Sequence, residues 1–489
     1  MLADYLHTEI SAGSRLVSAQ PVVHRSAHLH LSPPGAPRPY AYHRLFGNFA
    51  WVDEEMRELL AHPLPAMTFA SLSDRVGLEA AGTLRDSYFV VDSPDEERSM
   101  IAGWLDQRRE AIHTGKYLGA IQISSSNACN FKCTYCFADA SDRRSAPRQQ
   151  IAEGASQNIS FEMASAAIEN VLEVARKHGR QRIGVKFLGR EPLINWKVMR
   201  QLLHHFGDEI QWSTTTNGSL INDEIASDLK RFNVLTVVSL DGPAAVNDAF
   251  RLAKSGSGTF SMVERALRLL AEHETPYGVS SVITARSDFA SMRTFIDHVV
   301  ELGARELELT LVMQTKHVPD ALMTDENARL AAELADLYEH GREKIIMHGD
   351  WLDPFHRILV THKFRDEGEP VTPLGSACTA TSHQISLEPS GDLFPCRAMS
   401  THYGNILDLD AALHTKSYQD VVMRTFYNVS ACRGCMLEGF CQGTCLGSSE
   451  EATGDLYGVD EGYCRLYREV TGVLLERMSS GRIPHGVTH

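Results

Sequence analysis

The chain has 489 residues, 43% of them hydrophobic, and a formal net charge of −15 at pH 7. The length suggests about three domains, and the apolar content is enough for a large core. The negative balance argues against a nucleic-acid surface, which carries a basic footprint, and no stretch reaches the roughly 20 apolar residues that span a bilayer. The opening M-L-A-D-Y-L-H-T-E-I lacks the basic flank and apolar run of a secretory signal. A soluble, cytoplasmic protein is therefore expected, with no nucleic acid and no membrane as partner. Its ten cysteines are then reduced thiols, since disulfide frameworks belong mostly to small secreted domains.

Residues 1–36 hold Pro, Ser and His without periodicity and end in S-P-P-G-A-P-R-P, which reads as a flexible arm and linker. Residues 37–98 form a small unit. R-L-F-G-N-F-A-W-V suggests a hairpin, three short helical stretches follow, and S-Y-F-V-V closes the unit as a strand. This order is compatible with a winged-helix-like module or with a packing appendage. The acidic run D-S-P-D-E-E-R reads as a boundary.

Residues 115–320 repeat one pattern, an apolar strand followed by an amphipathic helix. The strands are G-A-I-Q-I-S, R-I-G-V-K-F-L, E-I-Q-W-S-T-T, V-L-T-V-V-S-L, Y-G-V-S-S-V-I and E-L-E-L-T-L-V. Ser160 is placed to cap one helix, whose Ile168, Val171, Leu172 and Ala175 form an apolar stripe. Gly303 suits the end of another. Six such units mean parallel strands with right-handed crossovers, in an open doubly wound α/β sheet or a partial barrel. In both, ligands sit at the C-terminal ends of the strands. The polar motifs obey that rule. C-N-F-K-C-T-Y-C follows the first strand, G-R-E-P the second, T-T-N-G the third and S-L-D-G the fourth. Residues 325–367 read as a helical bridge leading away from the strands. Residues 370–475 are loop-rich, hold seven cysteines, and are expected to depend on metal for their fold. Residues 476–489 are a tail.

Cys129, Cys133 and Cys136 supply three thiolates, soft ligands that select zinc, copper or iron–sulfur clusters. A structural zinc site wants four ligands, and no fourth Cys or His is near in sequence. Three cysteines on a 4Fe-4S cluster leave one iron open. The C-x3-C-x2-C spacing, Tyr135 before the last cysteine, and the position at a strand end resemble the radical S-adenosylmethionine superfamily. The resemblance covers residues 115–312 and implies a partial (β/α)6 barrel. It also implies that the open iron binds S-adenosylmethionine, and that a 5′-deoxyadenosyl radical formed from it takes a hydrogen from the substrate. An electron donor such as flavodoxin or ferredoxin follows from that chemistry.

Further roles are carried over by position. G-R-E-P is similar to the family's Gly-Gly-Glu-Pro turn, with Gly189 and Glu191 retained and Arg190 in place of the second glycine. That turn holds the methionine amino group. Tyr135 is expected against the adenine. Ser239 and Arg251 match the pair that grips the methionine carboxylate, where an arginine fork suits a carboxylate. Thr215 and Asn217 are candidates for the ribose region.

The later cysteines follow C-x(n)-G-x4-C, C-x2-C-x5-C-x3-C and a final C, which resembles the SPASM domain. A zinc knuckle explains C-x2-C-x5-C alone but not the rest. The resemblance implies two auxiliary 4Fe-4S clusters, hence three clusters in all. Cys432, Cys435, Cys441 and Cys464 would hold one, and Cys378, Cys396 and Cys445 the other. The second set has three thiolates, its fourth position being open or taken by a residue such as His383. In sulfatase-maturing relatives an aspartate base follows the cysteine matching Cys396. Here Arg397 stands there, and a guanidinium stays protonated, so sulfatase maturation is disfavoured unless another residue takes that role.

Radical S-adenosylmethionine oxidoreductases with this C-terminal domain mostly modify peptides, and their winged-helix modules bind leader peptides. The expectation is a maturase that forms a thioether or carbon–carbon crosslink in a ribosomal precursor peptide (RiPP biosynthesis). The alternative is a dehydrogenase or epimerase acting on a protein side chain or a small metabolite.

Overall fold

The computed structural model describes residues 22–64, 67–136, 157–284, 287–313, 327–360, 378–381 and 383–485. Most of the expected arm, residues 1–21, and the last four of the expected tail lie outside them.

Ordered structure begins earlier than residue 37. Strand β1 (His24–Arg25) pairs with β5 (Val90–Val91), and β2 (Leu29–Leu31) joins β3 (Tyr40–His43) and β4 (Gly47–Trp51) in an antiparallel sheet of three. Helices Glu54–Ala61, Phe69–Val76 and Leu78–Asp86 follow. Asp53 and Thr68 cap the first two by accepting from the Met56 and Ser71 amides. Val23, Leu29, Leu60, Leu72 and Phe89 make a core separate from the main one. Leu29 of β2, Ala41 of β3 and Val90 of β5 are buried in that core, and Ala50 of β4 packs against it.

The acidic run expected as a boundary instead opens a helix, Pro94–Ala111. Ser93 caps it, Pro94 occupies its first turn, and Asp95, Glu96 and Glu97 follow. Anionic residues at that end complement the helix dipole. Glu97 also reaches into the module. It accepts from Ser26 and from the Ala27 amide at 3.2 Å, and pairs with buried His43 at 3.0 Å.

All six expected strands form: β6 (Ala120–Ser126), β7 (Ile183–Gly189), β8 (Ile210–Thr216), β9 (Leu235–Ser239), β10 (Tyr277–Ile283) and β11 (Glu306–Leu311). They pair in parallel, in sequence order. Two more parallel strands extend them. β12 (Ile346–His348) pairs with β11, and β13 (Gln384–Leu387) pairs with β6. β14 (Asp392–Phe394) and β15 (Gly404–Asn405) then continue antiparallel. The segment expected as a bridge leading away therefore returns to the sheet through β12.

The two faces of the sheet differ. Ile121, Ile123, Val185, Phe187, Trp212, Val238, Val279, Leu307 and Leu309 are in register on one face and are buried. Ser160 caps helix Phe161–Lys177 on the Met163 amide, and Ile168, Val171, Leu172 and Ala175 of that helix are buried. The alternate residues Gln122, Ser124, Lys186, Ser213, Thr215, Ser239, Ser280 and Glu308 are mostly polar and largely less buried. A doubly wound sheet carries helices on both faces. One apolar and one polar face instead suits an unclosed barrel.

The cysteine-rich region is better packed than expected. Tyr403, Leu446, Tyr463, Leu466, Val470 and Leu474 belong to the same core as the sheet. Its long helix Glu461–Ser479 lies on helix Asn327–Gly341. The N-terminal unit leans on this region too. The Tyr42 hydroxyl donates to the Met436 carbonyl at 3.0 Å, and buried Glu438 pairs with His28 at 3.2 Å. No helix of the described residues is long and apolar enough to cross a membrane.

Candidate active site

The loop after β6 carries Cys129, Cys133 and Cys136, and main-chain bonds hold its course. The Lys132 amide donates to Leu252 at 2.7 Å and the Thr134 amide to Phe250 at 2.9 Å. Phe131 and Ala253 form an isolated bridge. Cys133 is therefore placed by the backbone of residues 250–253 rather than by its own thiol. Burial pushes that thiol up to about 12, with Arg251 opposing, and burial also raises Cys129. A bound metal reverses this, because a coordinating thiol is deprotonated.

Gly189 ends β7 at φ +138°, and a Cβ there would lie 2.3 Å from the Ser126 carbonyl oxygen. Glycine suits this position, since the backbone of Ser126 at the end of β6 lies directly against it. Gly189→Ala is expected to lower stability by about 1–3 kcal/mol, read as a fall in melting temperature.

Glu191 is fully buried, and burial raises its carboxyl to about 6. It accepts from the Leu193 amide at 3.0 Å, the Thr216 hydroxyl at 2.6 Å and the Asn217 amide at 2.8 Å. Three protein donors thus use most of the roughly four acceptor sites a carboxylate has. Glu191 locks G-R-E-P to T-T-N-G and keeps about one site for a ligand.

Asn217 turns toward the cysteine loop. Its side-chain Nδ2 donates to the Asn130 Oδ1 at 2.9 Å and lies 3.9 Å from the Cys129 sulfur. Such a donor tunes an iron–sulfur centre. Thr215 stands on the polar face of β8, and Ser239 ends β9, paired in register with Ser280.

Arg251 and Tyr135 meet at a residue the sequence reading passed over. Asp241, in S-L-D-G, is fully buried. It pairs with Arg251 at 2.9 Å, accepts from the Val282 amide at 3.0 Å, and takes the Tyr135 hydroxyl. The guanidinium carbon lies 5.5 Å from the Tyr135 ring centre. Arg251 Nε is buried without a protein partner. A buried donor of this kind calls for an acceptor, and a ligand carboxylate fits.

In the C-terminal region, Cys432, Cys435, Cys441 and Cys464 line one cavity of about 180 Å³. Burial raises the first to about 12 and Cys441 to about 11. Cys378 and exposed Cys445 are close enough for their thiolates to repel, and Cys378 and Cys396 both border Tyr403. The His383 ring packs against Gly119. Between the two sets lies Arg424, 1% exposed, whose bonds go to the carbonyls of Leu456, Gln442 and Gly458. Burial lowers its pKa, and the groups that oppose this are thiols: Cys432, Cys378, Cys441 and Cys464. A buried guanidinium with that surrounding fits anionic clusters on both sets.

Among the described residues, no three His, Cys, Asp or Glu side chains converge as a single metal ion requires. A cubane cluster needs thiolates spread around a volume, one to each iron, and the cavity lined by four cysteines is of that kind.

The two cysteine regions are bridged by Glu388, at the end of β13, which sequence reading also missed. One carboxylate oxygen accepts from Ser124 at 3.2 Å and the other from Asn127, two residues before Cys129, at 3.1 Å. Ser124 accepts in turn from Arg397, the neighbour of Cys396, at 3.3 Å. No sequence signal marks Glu388, because its place depends on β13 joining β6.

Residues 123–286 match the model of the Radical SAM superfamily. The chain is 28% identical over 450 residues to the Radical SAM cyclopropyl synthase TigE of Paramaledivibacter caminithermalis, covering 89% of this chain and 92% of that one. It is 23% identical over 367 residues to a cysteine-type anaerobic sulfatase-maturating enzyme of Clostridium perfringens, covering 71% and 93%. Its fold is similar to that of anSMEcpe with bound AdoMet, with a TM-score of 0.59 and 20% identity over 74% of this chain and 94% of that one. It is also similar to Streptococcus suis SuiB bound to precursor peptide SuiA, with a TM-score of 0.52 and 16% identity over 91% and 100%. Residues 123–286 of this chain are therefore a radical SAM domain.

Proposed function

We propose that this enzyme modifies a ribosomally made precursor peptide, forming a new bond with net loss of two hydrogens. The observation that carries the reading is the Glu388 bridge, which joins the Cys129 loop to the neighbour of Cys396 beside one polar sheet face. A substrate on that face lies between the two cysteine regions.

In this reading Cys129, Cys133 and Cys136 hold a 4Fe-4S cluster that, with S-adenosylmethionine, supplies a 5′-deoxyadenosyl radical. Arg251 and Ser239 take the methionine carboxylate, and Arg251 Nε is the donor available for it. Tyr135 borders the adenine. Glu191 gives its remaining acceptor site to the amino group while holding the T-T-N-G loop. Thr215 faces the ribose, and Asn217 steadies the Cys129 sulfur. Cys432, Cys435, Cys441 and Cys464 hold one auxiliary cluster of a SPASM domain, and Cys378, Cys396 and Cys445 the other. Arg424 offsets their charge. Flavodoxin or ferredoxin supplies electrons.

Residues 22–91, four short strands, three helices and a closing strand, are the peptide-recognition module. Solved SuiB is bound to a precursor peptide, and the chain covers all of it. A relative that covers 89% of the chain is named a cyclopropyl synthase, which favours carbon–carbon over thioether bonding.

Intact mass of a small peptide encoded beside the gene, co-expressed anaerobically, tests the reading. The expected result is loss of two hydrogens, with every cysteine thiol still open to alkylation. Blocked thiols would point to a thioether. An unchanged mass with continued S-adenosylmethionine cleavage would sink the crosslinking reading in favour of epimerisation or a non-peptide substrate.

A further inference from the structure

The proposed ligand makes conflicting demands on Arg251. S-adenosylmethionine offers a carboxylate, which an arginine fork binds well. It also carries a sulfonium cation a few bonds away, which an uncompensated guanidinium repels. In a buried site that repulsion is screened far less than in water.

The structure shows how both demands are met. Asp241 takes one arm of Arg251 at 2.9 Å and leaves Nε buried and unpartnered. The pair is electrically neutral, yet the guanidinium keeps donors to give. Asp241 is itself fixed by three bonds from two elements, β10 and the helix Ala244–Phe250. Its carboxylate accepts from the Val282 amide on β10, its own amide donates to Asn247 at 3.4 Å, and its carbonyl accepts from Ser281 at 3.1 Å. The same carboxylate takes the Tyr135 hydroxyl, so the ring beside the guanidinium is held by the same group.

We propose that Asp241 is a specificity-determining and positioning residue that cancels the Arg251 charge, so that the site accepts the cationic sulfonium of S-adenosylmethionine over its neutral thioether counterpart, S-adenosylhomocysteine. This rests on the reading of Arg251 as the carboxylate partner. Asp241→Asn keeps the size and a hydrogen-bonding group but leaves Arg251 unbalanced. Asp241→Asn with Arg251→Gln restores neutrality while removing the fork.

The test is equilibrium dialysis of both ligands against anaerobically reconstituted protein, with iron content and melting temperature measured alongside. Asp241→Asn is expected to weaken S-adenosylmethionine by about tenfold or more and S-adenosylhomocysteine much less, because one buried charge interaction is at stake. The double variant is expected to bind both ligands weakly but to regain the preference for the cation. Equal weakening of the two ligands by Asp241→Asn would make Asp241 merely structural and overturn the inference, as would an unchanged preference. If Arg251→Gln alone leaves both affinities intact, the carboxylate reading fails, and the inference falls with it on a separate line of data.

Discussion

Cys133→Ala is expected to bring cleavage of S-adenosylmethionine to background while the protein still folds. The thiol contributes nothing to the course of its loop, which the Lys132 and Thr134 amides fasten to residues 250–252. Its sulfur is buried and, without metal, held protonated, so structure alone gives no reason for a cysteine there. In the proposed reading it is one of three ligands to a centre that has no spare. The melting temperature should change little, iron content should fall by one cluster's share, and 5′-deoxyadenosine should disappear from the reaction. Cys464→Ala gives the contrast. It removes a ligand from the cavity lined by Cys432, Cys435 and Cys441, so iron should fall while some cleavage persists. Cleavage persisting in Cys133→Ala would place the reactive centre elsewhere.

The strands of the sheet were legible because each alternates or runs apolar for five to seven residues and precedes a helix with a 3.6-residue stripe. β12 and β13 were not, since strands of three and four residues look like loop. Missing β13 hid Glu388, whose neighbours Ser124 and Asn127 are more than 260 positions away in the chain. β1 and β2 were lost among Pro and His for the same reason of length. The run from Asp92 to Arg98 was read for its charge and not for its Ser-Pro-Asp start, which is a helix signal. The cysteine motifs stand out as spacing, yet the residues around them do not. S-L-D-G was read for Ser239, and Asp241 shows only through its contacts with Arg251 and Tyr135. Arg424 carries no motif at all, because a buried cation among thiols is a three-dimensional fact. Glu191 shows the opposite case. Its place in the turn was legible, but its ties to Leu193, Thr216 and Asn217 make it a brace for the loops as much as a ligand.

Glu388→Gln is expected to cost product formation about 10²–10⁴-fold, the usual range for a lost general base, while S-adenosylmethionine cleavage continues. Net loss of two hydrogens removes one hydrogen atom, which goes to the 5′-deoxyadenosyl radical, and then one proton and one electron. The electron leaves to an iron–sulfur centre, and the proton needs a base. Arg397 stays protonated and is not that base. Glu388 is the carboxylate it reaches through Ser124, at the strand edge where substrate would lie. Glutamine has nearly the same shape and keeps an oxygen for Ser124 or Asn127, so the bridge should survive. Two further readouts separate a chemical role from a structural one. The affinity of fluorescently labelled peptide should be unchanged, and with side-chain-deuterated peptide the label should still appear in 5′-deoxyadenosine. Hydrogen abstraction would then be intact and the block would lie after it. Product at the parent rate would remove Glu388 from the chemistry. Loss of label transfer in parallel with product would make it a scaffold for the Asn127 loop, and the base would have to be sought on another strand end, where Asp350 follows β12 with a carboxyl that burial raises to about 6.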